Sequence, residues 1–399
     1  MRVVQIGAGY VGAQKEIMYA IHQRLINEGH KSYILFAVGK SNDKDVIRYE
    51  NKFEQLLRRG LVKIFGKSHK YAVLGTLRII SKLKRIKPDI VHFHILHHTY
   101  VDYPLLYKFI IKKKIPVVFT MHDLWGATGG CYHYFTMHCH KFLNECRECD
   151  ANPNLLDCPK NKTHSLFLRK QLFYKNFSQI SFVAVSDWVK NELEKTYLNE
   201  YSIVTIWNSF DPPQVEFPCV VKEEKAKNKI IAVSANWSIQ KGSQRIVELA
   251  QLLGDEFEIT LVGNVPNNDN LKLPDNIVCA GTVEDKCELM RLYYESDLNL
   301  SMSVEETFGL TFIEAAMVGT RSMGYNLTAI PEVLRKINGV VVETFSVESM
   351  YNAVKDYFCT YGHEKMSEEE INRIKHIFSV STMTEEYLRV YSETERKMK

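Results

Sequence analysis

The sequence predicts an α/β protein with two halves, each a parallel sheet covered by helices. Three observations support this fold class. Short β-branched runs alternate with helical stretches, a stretch rich in prolines and charges interrupts the alternation at 208–226, and the alternation then restarts. Strands that alternate with helices favour parallel sheets with helices on both faces. A length of 399 residues agrees with two domains.

The first half shows the alternation most clearly. β-Branched and aromatic runs predict strands at Val3–Ile6, Tyr33–Phe36, Leu61–Ile64, Ile90–Phe93, Val117–Thr120, Phe182–Val185 and Ile203–Ile206. Longer stretches between them predict helices at Ala13–Glu28, Val73–Lys84 and Asp102–Ile111. Gly29 follows the first of these, as expected at a helix end.

The second half repeats the pattern after the interruption. We expect strands at Ile230–Ser234, Ile259–Val262, Ile277–Ala280 and Leu298–Ser301. A further helix, Thr382–Lys399, lies beyond this series, with apolar residues at helical spacing: Met383, Tyr387, Leu388 and Tyr391.

Composition excludes several functional classes. The net charge of +4, from 51 basic and 47 acidic residues, is too balanced to indicate a nucleic-acid partner. No apolar run reaches the roughly 18–20 residues of a membrane-spanning helix. The N-terminus lacks the pattern of a signal peptide, so we expect a cytoplasmic protein. Basic runs such as Lys112–Lys114 are typical of solvated helix ends or, alternatively, of peripheral contact with the inner face of an anionic membrane.

A glycine motif near the N-terminus suggests one alternative function. The segment Gly7-Ala8-Gly9-Tyr10-Val11-Gly12 matches the dinucleotide fingerprint G-x-G-x-x-G, which would suit an NAD-dependent nucleotide-sugar dehydrogenase. That fingerprint also needs an acidic residue after the second strand, and Phe36-Ala37-Val38-Gly39-Lys40 contains none. We therefore favour a tight glycine loop at which a substrate or phosphate approaches the backbone.

The strongest chemical signal lies in the second half. Glu306 follows a predicted strand, Gly309 permits a sharp turn, and a helix that begins near Leu310 carries Glu314. Upstream, Lys241-Gly242 precedes another helix. Because helix N-termini and lysines both stabilise phosphate, this arrangement predicts a site for a diphosphate attached to a sugar.

These residues resemble a known family. Glu306-x7-Glu314 with Phe308-Gly309 is similar to the E-x7-E signature of retaining family 4 glycosyltransferases. The similarity continues through nearly the whole chain, at 89–94, 185–188, 208–211, 324–326 and 330–333. It implies the GT-B fold: two Rossmann-like domains that face each other across a cleft, with the last helix crossing back to the first domain.

The resemblance also implies that the two domains bind different substrates. Residues 1–208, with 380–399 crossing back, would form an acceptor domain with a cysteine-rich insertion at 122–160. Residues 209–379 would form the donor domain for a nucleoside diphosphate sugar. On the acceptor side we expect Gly9, Gly12 and Asp123.

Individual roles follow from matching positions in the motif. Lys241, beside Gly242, would contact the donor diphosphate, Glu306 the donor sugar and Glu314 the ribose. Backbone N–H groups near Leu310 and Thr311, after Gly309, would bind phosphate, and His122 would face the donor sugar. Many relatives carry an arginine a few residues before the Lys-Gly pair. This chain has none there, so phosphate neutralisation would fall to Lys241 and the helix dipole, or to Arg321 or Arg245.

The implied reaction is transfer of the sugar to an acceptor hydroxyl with retention of anomeric configuration, in capsule, exopolysaccharide or lipopolysaccharide assembly. The acceptor would be a glycan or a lipid-linked molecule. No catalytic metal or other cofactor is expected, since we find no D-x-D motif near the predicted donor site. A non-catalytic binding protein of the same fold is a further alternative.

Cysteines cluster in the middle of the chain, with four at C-x7-C-x6-C-x2-C spacing: Cys131, Cys139, Cys146 and Cys149. The spacing is compatible with a structural zinc, with reduced thiols or with disulfides. The preceding His122-Asp123-Leu124-Trp125 and Thr128-Gly129-Gly130-Cys131 resemble a subgroup linked to extracellular (colanic-acid-like) polysaccharide synthesis.

Overall fold

Two units make up the part of the chain that the computed structural model describes, residues 1–97, 99–132, 134–151, 156–215, 227–265 and 272–396. Unit 1 comprises Met1–Trp207 and Met383–Lys399, and unit 2 comprises Asn208–Thr382. Residues 216–226, most of the predicted linker with its charged run, lie outside the described residues.

Unit 1 is built on a parallel sheet of seven strands within the described residues: β1 (Arg2–Tyr10), β2 (Lys31–Gly39), β3 (Val46–Arg48), β4 (Ile90–Phe93), β5 (Val117–Met121), β6 (Ile180–Ala184) and β7 (Ser202–Thr205). Their order is β3-β2-β1-β4-β5-β6-β7. The central strands β4, β5 and β6 are buried along their whole length, because helices cover both faces.

The helices of unit 1 are α1 (Gly12–Asn27), α2 (Lys52–Phe65), α3 (Val73–Ile86), α4 (Tyr103–Lys113), α5 (Thr163–Asn176) and α6 (Asp187–Glu194). The predicted strand Leu61–Ile64 is wrong, since these residues form the last turn of α2. A capping box starts this helix: the Asn51 side chain accepts from the Glu54 N–H, and the Glu54 carboxylate accepts from the Asn51 N–H. The capping box favours a helix more strongly than the β-branched composition of Leu61–Ile64 favours a strand.

Unit 2 repeats the design with β8 (Asn228–Asn236), β9 (Phe257–Asn264), β10 (Ile277–Gly281), β11 (Leu298–Ser301), β12 (Arg321–Tyr325) and β13 (Val340–Val342), in the order β10-β9-β8-β11-β12-β13. Its helices are α7 (Ser243–Leu253), α8 (Lys286–Glu295), α9 (Leu310–Ala316), α10 (Ile330–Lys336), α11 (Val347–Tyr361) and α12 (Glu368–Ile377). In the described parts of both units, no helix is long and apolar enough to cross a membrane.

The last helix, α13 (Val380–Arg396), packs on unit 1. Met383, Tyr387 and Tyr391 are buried in the same cluster as Val3 and Ile90 of the sheet, and Leu388 packs at its margin. Hydrogen bonds reinforce the contact: the Tyr391 hydroxyl lies 2.6 Å from His92 Nδ1, and the Tyr387 hydroxyl lies 3.0 Å from Thr120 Oγ1. The predicted fold, two Rossmann-like domains of GT-B type with a returning C-terminal helix, is confirmed.

Both sheets reverse their winding direction between their first and fourth strands, which are β1 and β4 in unit 1 and β8 and β11 in unit 2. In open parallel sheets, ligands bind at the carboxyl ends of the strands beside such a reversal. The topology therefore singles out one location in each unit.

Candidate active site

In unit 2, the reversal between β8 and β11 brings together two predicted site residues. Lys241 follows β8 and Glu306 follows β11, 65 positions apart in the chain. The Lys241 Nζ donates to Glu306 Oε1 at 2.5 Å. Both side chains keep part of their surface exposed, 32% for Lys241 and 21% for Glu306. The pair therefore presents one positive and one negative group to a ligand.

Close approach of two loops holds Lys241 in place. Gly242 has φ +83°, and a Cβ there would lie 2.5 Å from the Cβ and carbonyl oxygen of Met302. The Val304 N–H also donates to the Gln240 carbonyl at 3.0 Å. Only glycine fits between the loops after β8 and β11 without displacing one of them.

We expect Gly242→Ala to lower transfer roughly 10- to 100-fold, because small displacements of positioning groups are costly. Gly254→Ala serves as a control, since Gly254 also has a positive φ, +67°, but a Cβ there would meet no atom of the described residues beyond its chain neighbours within 4 Å. The control should lose about 1–3 kcal/mol of unfolding free energy, because its backbone is unfavourable for alanine, and keep its activity. Equal activity in the two variants, measured by initial rates, would contradict this role for Gly242.

A third loop, after β12, fixes the backbone of Glu306. The Glu306 N–H donates to Thr328 Oγ1 at 3.0 Å, and its carbonyl accepts from the Ala329 N–H at 3.2 Å. Sequence analysis missed Thr328, because its contact with Glu306 depends on the neighbouring positions of β11 and β12.

Neither arginine considered as a substitute is oriented towards the Lys241–Glu306 pair. Arg245 joins the loops instead, donating from Nη2 to the carbonyls of Met302 (2.8 Å) and Ile239 (3.1 Å). Arg321 forms an ion pair with Glu370 at 3.2 Å. Arg245 is therefore a positioning residue for the loops that carry the pair.

The second glutamate of the motif lies in a different environment. Glu314 is on α9, which begins at Leu310 and Thr311 after Gly309 (φ +95°). Tyr293 of α8 donates its hydroxyl to Glu314 Oε2 at 3.1 Å. Burial raises the pKa of Glu314, and the Tyr293 hydrogen bond opposes this shift. Glu306 is paired with Lys241 and Glu314 with Tyr293. This separation agrees with two glutamates that contact different parts of one ligand.

In unit 1, His122 directly follows β5 and lies beside a series of hydrogen-bonded polar groups. The Gln5 side-chain N–H donates to the Met18 carbonyl. The side-chain oxygen of Gln5 accepts from His94 Nε2 at 3.1 Å. The His94 Nδ1 then accepts from His122 Nε2, also at 3.1 Å. Burial lowers the pKa of His122 to about 4, so the ring is neutral at pH 7 and its Nδ1 is a hydrogen-bond acceptor.

Asp123 is held next to this histidine. Its Oδ2 lies 2.6 Å from His97 Nε2, and its Oδ1 accepts from the Trp125 N–H at 2.8 Å. His97 follows β4, so the loops after β4 and β5 meet at this pair. Asp123 therefore fixes the loop in which the cysteine-rich insertion begins.

The glycine motif adopts a different structure from the expected loop. Gly7 and Gly9 lie within β1, which continues to Tyr10 and pairs with β2. A Cβ on Gly7 would lie 2.8 Å from Gln14 Nε2, and one on Gly9 would lie 3.3 Å from Gln14 Oε1. These glycines accommodate the Gln14 side chain rather than a pyrophosphate, which does not favour the dehydrogenase alternative. Only Gly12, with φ +54° at the start of α1, keeps a left-handed turn geometry.

Cys139 and Cys149 lie close enough to Cys146 to act electrostatically on its thiol. Among the described residues, no group of three or more His, Cys, Asp or Glu side chains is arranged to hold a metal ion. Cys146 Sγ accepts from the Gly129 N–H at 3.2 Å, and burial raises its pKa to about 11, which favours the thiol. The raised pKa of Cys146 agrees with a reduced thiol, and the structural zinc at Cys131, Cys139, Cys146 and Cys149 stays a prediction.

Comparisons with known proteins agree with both units. The Glycosyltransferase Family 4 model matches residues 16–213, and the Glycosyl transferases group 1 model matches 227–359. An Escherichia coli protein named as a colanic acid biosynthesis glycosyl transferase, WcaC, is 23% identical over 95% of this chain and 96% of its own. Two solved structures share the fold across 98% of this chain. They are a Rickettsia africae glycosyltransferase (TM-score 0.62, 19% identity, 98% of that chain) and Anabaena HepE with UDP and glucose (TM-score 0.66, 14% identity, 100% of that chain). The chain therefore belongs to the glycosyltransferases, with a Family 4 domain followed by a group 1 domain.

Proposed function

We propose that this glycosyltransferase moves a sugar from a nucleoside diphosphate sugar to an acceptor hydroxyl, with retention of anomeric configuration, in the assembly of a bacterial surface polysaccharide. The observation that carries the proposal is the Lys241–Glu306 pair at the strand reversal of unit 2. The HepE structures with UDP and with UDP-glucose support the donor class. The name of WcaC supports the polysaccharide.

The reaction breaks the bond between the anomeric carbon and the diphosphate oxygen and forms one to the acceptor oxygen. The acceptor's hydroxyl proton passes to the leaving diphosphate. Lys241 neutralises the negative charge that grows on the diphosphate, and Glu306 accepts hydrogen bonds from the sugar hydroxyls. Charge stabilisation of this kind is often the largest single contribution to catalysis.

Two further residues complete the proposed binding scheme. Glu314 accepts hydrogen bonds from the ribose hydroxyls, in addition to its contact with Tyr293. His122 accepts one from a substrate hydroxyl at Nδ1, because the ring is neutral at pH 7 and its Nε2 proton is used by His94. Neither role needs a metal ion.

A panel of nucleoside diphosphate sugars tests the donor class, with release of the nucleoside diphosphate as readout. NMR of the product then identifies the anomer formed. We expect one donor class to be turned over with retention. Release of nucleoside monophosphate, or an inverted product, would contradict the proposal.

We expect the rate of transfer to be unchanged in EDTA, since the Lys241 ammonium supplies the charge that a divalent cation would otherwise provide. Initial rates are compared with and without the chelator. A loss that added Mg²⁺ or Mn²⁺ restores would contradict this expectation. The same assay also distinguishes a catalytic protein from a binding protein of this fold.

A further inference from the structure

Unit 1 contains a cavity of about 460 Å³ that the proposed chemistry does not use. It lies between the end of α2, the segment that follows it, the start of α4, and the residues around Lys170 of α5. Its volume falls within the range of pockets that bind small molecules, roughly 300–1,000 Å³.

Positive charge dominates the cavity wall. Among its described lining residues, one is acidic, Asp157, whereas five are basic: Lys67, Lys70, Lys162, Arg169 and Lys170. The whole chain has nearly equal numbers of basic and acidic residues, 51 and 47, so this excess is local. Five basic side chains around one small cavity suit a multiply charged anion better than a single carboxylate.

Two buried groups favour an oxygen-rich anion. Tyr103 is 2% exposed, and its hydroxyl has no hydrogen-bond partner among the described residues. An unsatisfied buried hydroxyl is costly, and a ligand oxygen would satisfy it. Lys170 is 1% exposed and donates to the carbonyls of Trp125 (2.5 Å) and Thr128 (3.0 Å). Burial lowers its pKa to about 7, and an anion nearby would favour its charged form.

One edge of the cavity is apolar. Phe65 lines it and is 70% exposed, and Ile64 beside it is 71% exposed. The apolar surface continues along α2 through exposed residues at helical spacing, Phe53, Leu56 and Leu57. Exposed apolar helix faces with basic neighbours, here Lys52, Arg59 and Lys63, are typical of contact with anionic lipid.

We propose that this cavity, which we call the Lys170 cavity, binds the phosphate or diphosphate headgroup of a lipid whose chain lies along the exposed apolar face of α2. Arg169 suits bidentate contact with phosphate oxygens. Binding itself does not depend on catalysis. We also propose that this lipid carries the acceptor sugar, and that second step rests on the proposed function.

Calorimetric titration of the full chain with decyl diphosphate, below its micellar concentration, tests the headgroup site. The variant Lys162→Ala/Arg169→Ala removes two exposed cavity cations and should weaken binding roughly tenfold or more. The control Lys112→Ala/Lys113→Ala removes two exposed charges of the same unit, outside the cavity. It should bind like the unmodified protein. Equal weakening in both variants would overturn the proposal, because it would indicate non-specific attraction.

Two more comparisons separate the sources of binding. Because the donor site also takes a diphosphate, the titrations are repeated with that site saturated by a nucleoside diphosphate, and the cavity should then still bind decyl diphosphate. If saturation of the donor site abolishes binding while the cavity variant binds normally, the ligand lies at the donor site and the proposal is overturned. Ile64→Ser/Phe65→Ser should weaken decyl diphosphate about tenfold and leave inorganic diphosphate unaffected. If inorganic diphosphate binds the unmodified protein as tightly as the decyl compound, the lipid assignment is overturned. None of these readouts requires turnover, so failure of the proposed function is detected separately.

Discussion

Replacement of Glu306 by Gln, or of Lys241 by Ala, is expected to reduce sugar transfer by roughly 100-fold or more. In the structure, these side chains form an ion pair with Nζ and Oε1 2.5 Å apart. With donor bound, the lysine would face the diphosphate and the glutamate the sugar. Each substitution removes a charge whose interaction strengthens as the glycosidic bond breaks.

The measurement is the initial rate of transfer at saturating donor, with the unfolding free energy determined alongside. A matched control is the Lys355–Glu256 pair of the same unit, whose atoms lie 3.2 Å apart on the surface. Lys355→Ala and Glu256→Gln should leave transfer unchanged, since exposed ion pairs contribute little. Unimpaired transfer in Glu306→Gln and Lys241→Ala would remove the assigned site.

The second large effect concerns the returning helix. Tyr391→Ala should lower the unfolding free energy of unit 1 by about 3–5 kcal/mol, because it leaves a cavity beneath α13. Tyr391→Phe keeps the ring and loses only the hydroxyl bonded to His92, so it should cost about 1–2 kcal/mol.

Urea unfolding followed by tryptophan fluorescence reports mainly on unit 1, since three of the four tryptophans lie there: Trp125, Trp188 and Trp207. Equal midpoints for the Ala and Phe variants would show that the Tyr391 ring is not part of the unit 1 core. The Tyr391 hydroxyl contributes separately, because it belongs to a hydrogen-bond network. His92, its partner, also bonds to the Thr120 hydroxyl, and that hydroxyl bonds to the hydroxyl of Tyr387. The last helix therefore completes a polar network inside the sheet as well as an apolar core.

Prediction of structure from local sequence was least reliable where two sequence signals favoured different structures. Leu61–Ile64 has the β-branched composition of a strand, yet the capping box at Asn51 and the apolar spacing from Phe53 onward produce a helix. Gly7 to Gly12 has the spacing of a phosphate loop, yet Gln14 occupies the space beside Gly7 and Gly9. In both cases neighbours outside the motif decide the structure.

The sequence by itself determined the two α/β halves, the helix that packs back through Met383, Tyr387 and Tyr391, and the family. Hydrophobic periodicity and local motifs are properties of neighbouring residues, so they can be read without coordinates. Only the tertiary structure decided that Lys241 meets Glu306, that Arg245 joins loops instead of facing phosphate, and that cations of α5 share a cavity with the end of α2. These contacts join residues far apart in the chain, and strand order and loop packing, rather than local propensity, bring them together.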